Sequence, residues 1–479
     1  MTDLLVINPG GAETIYQGLA DELIAVEPPL WCRLIAGYVR DWGWSVRILD
    51  AAAERLGPED VAVMAANNRP RLICVAAYGH QPNASTHTMP ETIAVCRALK
   101  KRSPTTPVII VGGHVAALPD QSLVDTGADY ACSGEGPVTV ERLLGMLKGG
   151  IFRDYVLGLV WKGGRNGPAP LIENMQALHG NAWDLLPMAK YRAHNWQCFG
   201  DLGTRQPYAS IYTSLGCPFK CSFCCINAPF GGPGYRMRDP ADVVAEVAML
   251  HDEYGVSTFK IVDEMFVLNP KHYGAICEGL AALPYAADLN IWAYARIDTV
   301  KAGKLDLLRR AGIRWLALGI ESGSAHVRDG AEKSFGDDDI RTTVKAIQDA
   351  GINVIGNFIF GLPDDTWESM RATLDLALSL RCEFANFYSA MAYPGSALYA
   401  QAKSEDLPAS WAGYSQHGFD TRPLPTATLS SLDVLGFRDR AFIEYFSDPA
   451  YLDMVGAKFG PETRAHVERM AARRLQRAA

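Results

Sequence analysis

The chain has 479 residues, 48% of them hydrophobic, with a formal net charge of −8 and a pI near 5.7. That length exceeds one ordinary core and predicts two or three domains, while the acidic balance argues against a general nucleic-acid surface. Eleven cysteines without an even framework, no amino-terminal signal pattern and no apolar run of membrane-spanning length point to a reducing, cytoplasmic setting and away from a membrane.

In chain order, Leu4 to Asn8, Ser45 to Asp50, Arg71 to Ala76, Val108 to Gly112 and Tyr130 to Ser133 read as short buried strands, with helical periodicity between them. The pattern predicts an α/β, doubly wound (Rossmann-like) parallel sheet over residues 1–150, with ligands at the carboxyl ends of its strands. The loops at those ends are rich in glycine: Asn8-Pro9-Gly10-Gly11, Tyr78-Gly79-His80, Gly112-Gly113-His114 and Ser133-Gly134-Glu135-Gly136. Small residues there let a large flat ligand approach the backbone, although any one Gly-Gly pair also serves as a tight turn. Residues 151–205 read as a connector, with Gly158 to Trp161 strand-like and Gly163 to Pro168 a turn cluster.

From 206 to 400 the alternation restarts, with strands expected near Ala209 to Thr213, Thr258 to Val262, Asn290 to Ala295, Trp315 to Gly319, Asn353 to Phe360 and Glu383 to Ala390. Helices fill the gaps, among them Pro240 to Tyr254 and Asp337 to Ala350, where a Gly-Asp-Asp-Asp start supplies a cap and negative charge. Six such units suggest a partial (β/α)6 barrel with functional side chains at the carboxyl ends of its strands. Residues 401–479 carry turns around Pro423 and Pro425 and then helical patterns. They predict a small helical cap on the barrel mouth, whose basic end near Arg473 and Arg474 is a solvated helix face.

The most informative stretch follows the first barrel strand: Ser-Leu-Gly-Cys217-Pro-Phe-Lys-Cys221-Ser-Phe223-Cys224-Cys225. Three thiolates this close cannot each find a disulfide partner without strain, but one loop can wrap them around an inorganic cluster. Three ligands for four irons leave one iron open to an amine and a carboxylate, and an aromatic just before the last cysteine, here Phe223, can pack on a flat ring of the same ligand. A three-cysteine zinc site is the alternative; structural zinc takes four ligands in two CxxC-like pairs, and no second pair occurs in the chain. Cys225 reads as a packed thiol pointing away from the other three.

This stretch resembles the radical S-adenosylmethionine (SAM) superfamily, and the glycine-rich first half resembles the cobalamin-binding domain that precedes many radical SAM domains. The resemblance implies a [4Fe-4S] cluster held by Cys217, Cys221 and Cys224, with SAM on the open iron. It further implies cobalamin against Gly10, Tyr78, Gly79, Gly112, Gly113, His114, Gly134, Glu135 and Gly136, with His80 a further edge contact. None of the ten histidines has Asp two positions earlier, so the Asp-x-His-x-x-Gly motif that supplies a lower axial histidine is missing. At the end of the second barrel strand Asp263 and Glu264 are candidates for the SAM ammonium, Glu264 preferred, with a plain charged loop as the competing reading. Arg296, Glu321 and Ser322 are assigned to SAM contacts, against a simple Arg296–Glu321 ion pair. The segment beginning Gly361-Leu362-Pro363 is similar to the backbone that flanks adenine in the family, with Asp364, Asp365 and Thr366 also readable as a helix cap.

The implied activity is methylation of an unactivated carbon through a 5′-deoxyadenosyl radical and methylcobalamin. Cyclisation or rearrangement without methyl transfer, and a non-catalytic iron-sulfur/cobalamin module, are the alternatives. The implied partners are a small-molecule or biosynthetic-intermediate substrate and an electron donor such as flavodoxin or ferredoxin, with no nucleic acid and no membrane. Among the aromatics near the strand ends (Trp292, Tyr294, Phe387, Tyr388, Tyr393), Tyr388 and Tyr393 are the substrate-side candidates, against a core reading for all five.

Overall fold

Runs such as Leu72-Ile-Cys-Val-Ala76 carry apolar side chains on both faces, which only a sheet covered by helices on both sides can bury. In the computed structural model, which describes residues 2–79, 82–333 and 335–478, these runs form a parallel sheet. Strands β1 (Leu4–Asn8), β2 (Val46–Asp50), β3 (Leu72–Ala76), β4 (Val108–Val111) and β5 (Tyr130–Cys132) pair in the order β2-β1-β3-β4-β5. Two further strands, β6 (Leu159–Trp161) and β7 (Gly164–Arg165), add antiparallel to the β5 edge, so the first sheet draws its last strands from the connector.

The second sheet comprises β8 (Tyr208–Ile211), β11 (Thr258–Ile261), β12 (Asn290–Ala295), β13 (Ile313–Glu321), β14 (Asn353–Phe360) and β15 (Phe384–Ser389). Its order is β15-β14-β13-β12-β11-β8, parallel throughout, with β8 and β15 at its two edges, which is a partial (β/α)6 barrel. A small hairpin of β9 (Ser214–Leu215) and β10 (Arg236–Met237) brackets the cysteine loop. The helix Asp337–Asp349 starts as its sequence suggests, Asp339 accepting from the Gly336 N–H at 2.9 Å. Among the described residues no helix is long and apolar enough to cross a membrane.

Buried polar nodes join the halves, among them those at Glu246 and Glu27. Glu246, on the helix Pro240–Tyr254, accepts from Arg33 of the first domain at 2.9 Å, from Arg238 at 2.6 Å and from the Trp183 indole of the connector at 2.9 Å. Its carboxyl is held below the usual range by both guanidinium charges, which overcome the penalty of burial. Glu27, on the first-domain segment that also pairs Val26 with Arg192, meets the β11 Lys260 ammonium at 2.8 Å inside the barrel.

The carboxyl-terminal helices Ser431–Phe446, Pro449–Phe459 and Pro461–Ala472 lie beside the barrel rather than across its mouth, and the first turn of the first touches the rim, Val434 against Gly361. Their aromatic faces pack at the β15 edge and the amino-terminal end of the barrel: Tyr445 and Tyr451 donate to the Cys382 and Glu383 carbonyls at 2.6 and 3.0 Å, and Phe459 stacks on Trp315. That end offers the apolar surface these helices need. The mouth is instead crossed by the loop around Gln416 and Leu424, which bonds Ser389 and Ala390 at the end of β15. The basic end is not a solvated helix face either. The helix stops at Ala472, Arg473 pairs with Glu22, and Arg477 forms a fork on Asp439, Nη2 and Nε each at 2.9 Å.

Candidate active site

Gly216 turns the chain into the cysteine loop at φ 87°, with the Gly234 carbonyl where a side chain would begin, 2.7 Å from an added Cβ. Backbone bonds from Cys224 N–H to the Cys221 carbonyl (3.0 Å) and from Gly234 N–H to the Cys217 carbonyl (3.3 Å) close the loop. Cys217 is buried, Cys221 and Cys224 are half-buried, and none is in a disulfide. The Arg296 guanidinium lies 3.8 Å from the Cys221 sulfur, stacks on Phe219 and grips Asp298 with two bonds of 3.0 Å.

Arg296 therefore does not pair with Glu321. Glu321 sits at φ 67° beside a register shift between β13 and β14, and its carboxylate pairs with buried Lys333, which also donates to the Gly319 carbonyl. A non-glycine residue held left-handed at a strand end is the kind of strain that clusters at functional sites. Ser322 points into the fold, its hydroxyl 3.1 Å from that of Thr373.

The two carboxylates at the end of β11 have different work. Asp263 is buried and accepts from the Thr213 N–H (2.6 Å) and from the Thr213 and Ser214 hydroxyls (2.5 Å each), which fixes the entry to the cysteine loop. Glu264 accepts from the Gly216 N–H at 3.2 Å and borders the central cavity. Burial, with the Asp263 charge beside it, pushes its carboxyl up to about 8.

On the far side of the mouth, Asp365 accepts from the Gly361 and Leu362 N–H groups (2.9 and 3.1 Å), and Thr366 caps the helix Trp367–Leu380. Gly361, at φ 80°, has no room for a side chain, since Val434 lies 2.4 Å from an added Cβ. Phe223 and Tyr388 pack with Val327, Ala331, Ile359, Leu362 and Ala390, so the aromatic of the cysteine loop meets the Gly-Leu-Pro segment in one apolar cluster.

Between the carboxyl ends of the two sheets lies a cavity that opens to solvent. It brings together Gly10, Tyr78 and Gly79 from one sheet and Asp263 and Glu264 from the other. Trp31, stacked on Tyr78 at 4.6 Å, Tyr16 and His87 also line it, and none of these three was singled out by sequence. Trp31 had a signal: it is the second residue of the helix Leu30–Asp41, which opens directly after Pro28-Pro29. The Gly112-Gly113-His114 and Gly134-Glu135-Gly136 loops do not border the cavity. His114 is buried edge-on to Trp411 at 4.4 Å, with Nδ1 3.1 Å from the Thr86 hydroxyl, and Glu135 is buried against Arg236. His80 lies outside the described residues.

Residues 17–144 match the B12 binding domain family, and residues 211–377 match the radical SAM superfamily. An uncharacterized methyltransferase of Pyrococcus horikoshii is 30% identical over 397 residues, covering 81% of this chain and 82% of that protein. The chain belongs to the cobalamin-binding radical SAM family. An anaerobic magnesium-protoporphyrin IX monomethyl ester cyclase of Cereibacter sphaeroides is also related, 24% identical over 432 residues, covering 88% of this chain and 67% of the cyclase. The fold matches the solved structure of the radical SAM methyltransferase TsrM from Kitasatospora setae at a TM-score of 0.72 and 18% identity, over 98% of this chain and 99% of that one.

The cofactors of a cobalamin-binding radical SAM enzyme are a [4Fe-4S] cluster, SAM and cobalamin, and the residues present fit them. The donor set on the loop is three thiols with a guanidinium at hand. Burial pushes Cys217 up to about 11 and Cys224 up to about 12, so metal loading must displace protons from both. Among the described residues no three His, Cys, Asp or Glu side chains converge on a single ion. Sulfurs that each ligate a different iron stand further apart than those around one ion. For the corrin, the cavity presents loop backbone at Gly10 and Gly79 and the Trp31–Tyr78 stack.

The burial of His114 has a measurable consequence. Burial lowers it from 6.5 to about 4, so between those pH values the unfolded chain binds a proton that the folded chain does not. Stability from this group is complete above pH 6.5 and is lost as pH falls to 4, by about 3 kcal/mol. His417, lowered by burial and by Arg438 and Arg477, acts in the same direction. His114→Gln is expected to flatten the fall of the denaturation midpoint between pH 7 and 4.5. An unchanged slope would contradict the buried neutral imidazole.

Proposed function

We propose that this enzyme is a cobalamin-dependent radical SAM C-methyltransferase acting on a small molecule. The reading rests on one arrangement: a single cavity joins the carboxyl ends of both sheets, with Gly10 and Tyr78 on one wall and Glu264 on the other. When bound, the cluster supplies the electron that cleaves SAM to a 5′-deoxyadenosyl radical, and cobalamin supplies the methyl carrier. Cys217, Cys221 and Cys224 would hold the cluster, and Arg296 would steady Cys221 from 3.8 Å. Phe223 and the Gly361 backbone would flank the adenine, and the Lys333-paired Glu321 would reach the SAM ribose. The walls come from both halves, so cofactors seated between them would cover the reacting centre from solvent. An electron carrier such as flavodoxin or ferredoxin is the expected reductant.

Glu264 is the expected partner of the SAM ammonium, because Asp263 is already engaged by the loop. An ammonium beside Glu264 would favour its ionised form, and Glu264→Gln, which cannot ionise, is expected to weaken SAM binding about 10- to 100-fold, read by calorimetry on the cluster-loaded protein. An unchanged Kd removes Glu264 from the site.

The relationship to a named cyclase supports a second reading, in which the same cofactors drive ring formation without methyl transfer. Product mass after anaerobic turnover separates the two: methylation adds one carbon, cyclisation adds none. Absence of corrin absorbance after incubation with hydroxocobalamin would remove the cobalamin assignment altogether.

A further inference from the structure

We propose that Glu135 is a positioning residue for the cysteine loop, which through Arg236 makes occupancy of the cobalamin side of the cavity felt at the β9–β10 hairpin; this rests on the cofactor assignment above. Glu135 lies in a glycine loop at the carboxyl edge of the first sheet, yet its side chain turns away from the cavity and is 2% exposed. Its Oε1 meets Arg236 Nη2, and its Oε2 accepts from Arg236 Nη1 and from the Ile172 N–H, each at 3.2 Å. The same guanidinium donates to the Ile172 carbonyl at 2.8 Å. First domain, connector and hairpin thus meet at one buried fork.

Both ends of that fork reach chemistry. Toward the first domain, the Tyr78 hydroxyl donates to the Glu135 carbonyl at 3.1 Å, and the Tyr78 ring stacks on Trp31; both rings line the cavity. Toward the barrel, Arg236 is the β10 partner of Leu215, two residues before Cys217. The intervening Gly216 N–H donates to Glu264, and Gly234 N–H donates to the Cys217 carbonyl. A ligand pressing on Tyr78 is one hydrogen bond from Glu135, and Glu135 is one ion pair from the strand that sets the first cluster cysteine. A buried pair of this kind is costly to desolvate, and well-packed apolar residues would serve stability as well. Its place at this junction fits a role in registering one half against the other.

The test is hydrogen–deuterium exchange on the full-length, cluster-loaded protein without SAM, with hydroxocobalamin as the probe. In wild type, hydroxocobalamin should slow exchange in peptides spanning 212–238 by about fivefold. In Glu135→Gln, corrin absorbance should still report binding with affinity within about threefold of wild type, while the protection of 212–238 disappears. Arg236→Gln, which removes the guanidinium from the hairpin side of the fork and changes no residue of the cavity wall, should show the same split and serves if Glu135→Gln does not fold. Full protection in the variants, or loss of hydroxocobalamin binding by Glu135→Gln, overturns the proposal. Uptake by wild type without protection overturns it alone, whereas no uptake by wild type overturns the cofactor assignment with it.

Discussion

Cys221→Ala is expected to yield a folded protein that neither assembles the cluster nor forms 5′-deoxyadenosine from SAM under reducing conditions. Cys221 is half-buried on a loop whose shape is fixed by the Asp263 bonds at its entry and the Gly234–Cys217 bond at its exit, none of which uses the sulfur. Stability should therefore change little, while two thiols remain where three irons need ligands. Iron and sulfide content, the visible spectrum and deoxyadenosine yield should fall together. Cys225→Ala is the contrast. Cys225 is buried, its Cβ 3.6 Å from where one would stand on Gly395, so the loss there is packing, about 1–2 kcal/mol, with iron content intact. Retained SAM cleavage in Cys221→Ala, or iron loss in Cys225→Ala, would reassign the ligands.

Glu246→Gln is expected to be the most damaging single change outside the cavity. Glu246 is the carboxylate between the side chains of Arg33 and Arg238, which are 0% and 4% exposed. Neutralising it leaves two guanidinium groups in the interior facing each other, a loss of about 3–5 kcal/mol. Because Arg33 belongs to the first domain and Arg238 to the barrel, thermal denaturation should show a lowered midpoint for the whole molecule rather than for one half. Asp184→Asn, which breaks a surface pair with Arg40 whose side chains are 36% and 60% exposed, should cost under about 1 kcal/mol. Equal effects from the two substitutions would show that Glu246 is not the junction described.

The strands were legible because parallel sheets buried on both faces leave unbroken apolar runs: Asn290–Ala295 and Asn353–Phe360 lie where periodicity puts them. Spacing alone also brought out Cys217, Cys221 and Cys224 as a candidate set, since residues of one loop are local in sequence. What sequence could not show were partnerships made by chain return. Lys333 reaches Glu321 only because the chain folds back after the helix Ala325–Gly330, and Arg296 prefers Asp298, two residues on, to Glu321 across the sheet. The loops at 112 and 134 carry the glycines expected of a corrin cradle, yet close contacts inside the fold explain them. An added Cβ on Gly112 would stand 2.2 Å from the Ala77 carbonyl oxygen, and one on Gly134 would stand 2.4 Å from the Ala169 methyl.

The Glu27–Lys260 contact sets a limit on dissection. A fragment beginning at residue 206 would keep the Lys260 ammonium beneath the Trp292 ring, in surroundings that leave Lys260 1% exposed, while discarding the carboxylate that neutralises it. It would also discard the Val26–Arg192 bridge beside that contact. The catalytic half is thus not an excisable module: its interior is completed by chain made some two hundred residues earlier, so in synthesis the barrel closes around a piece of its predecessor.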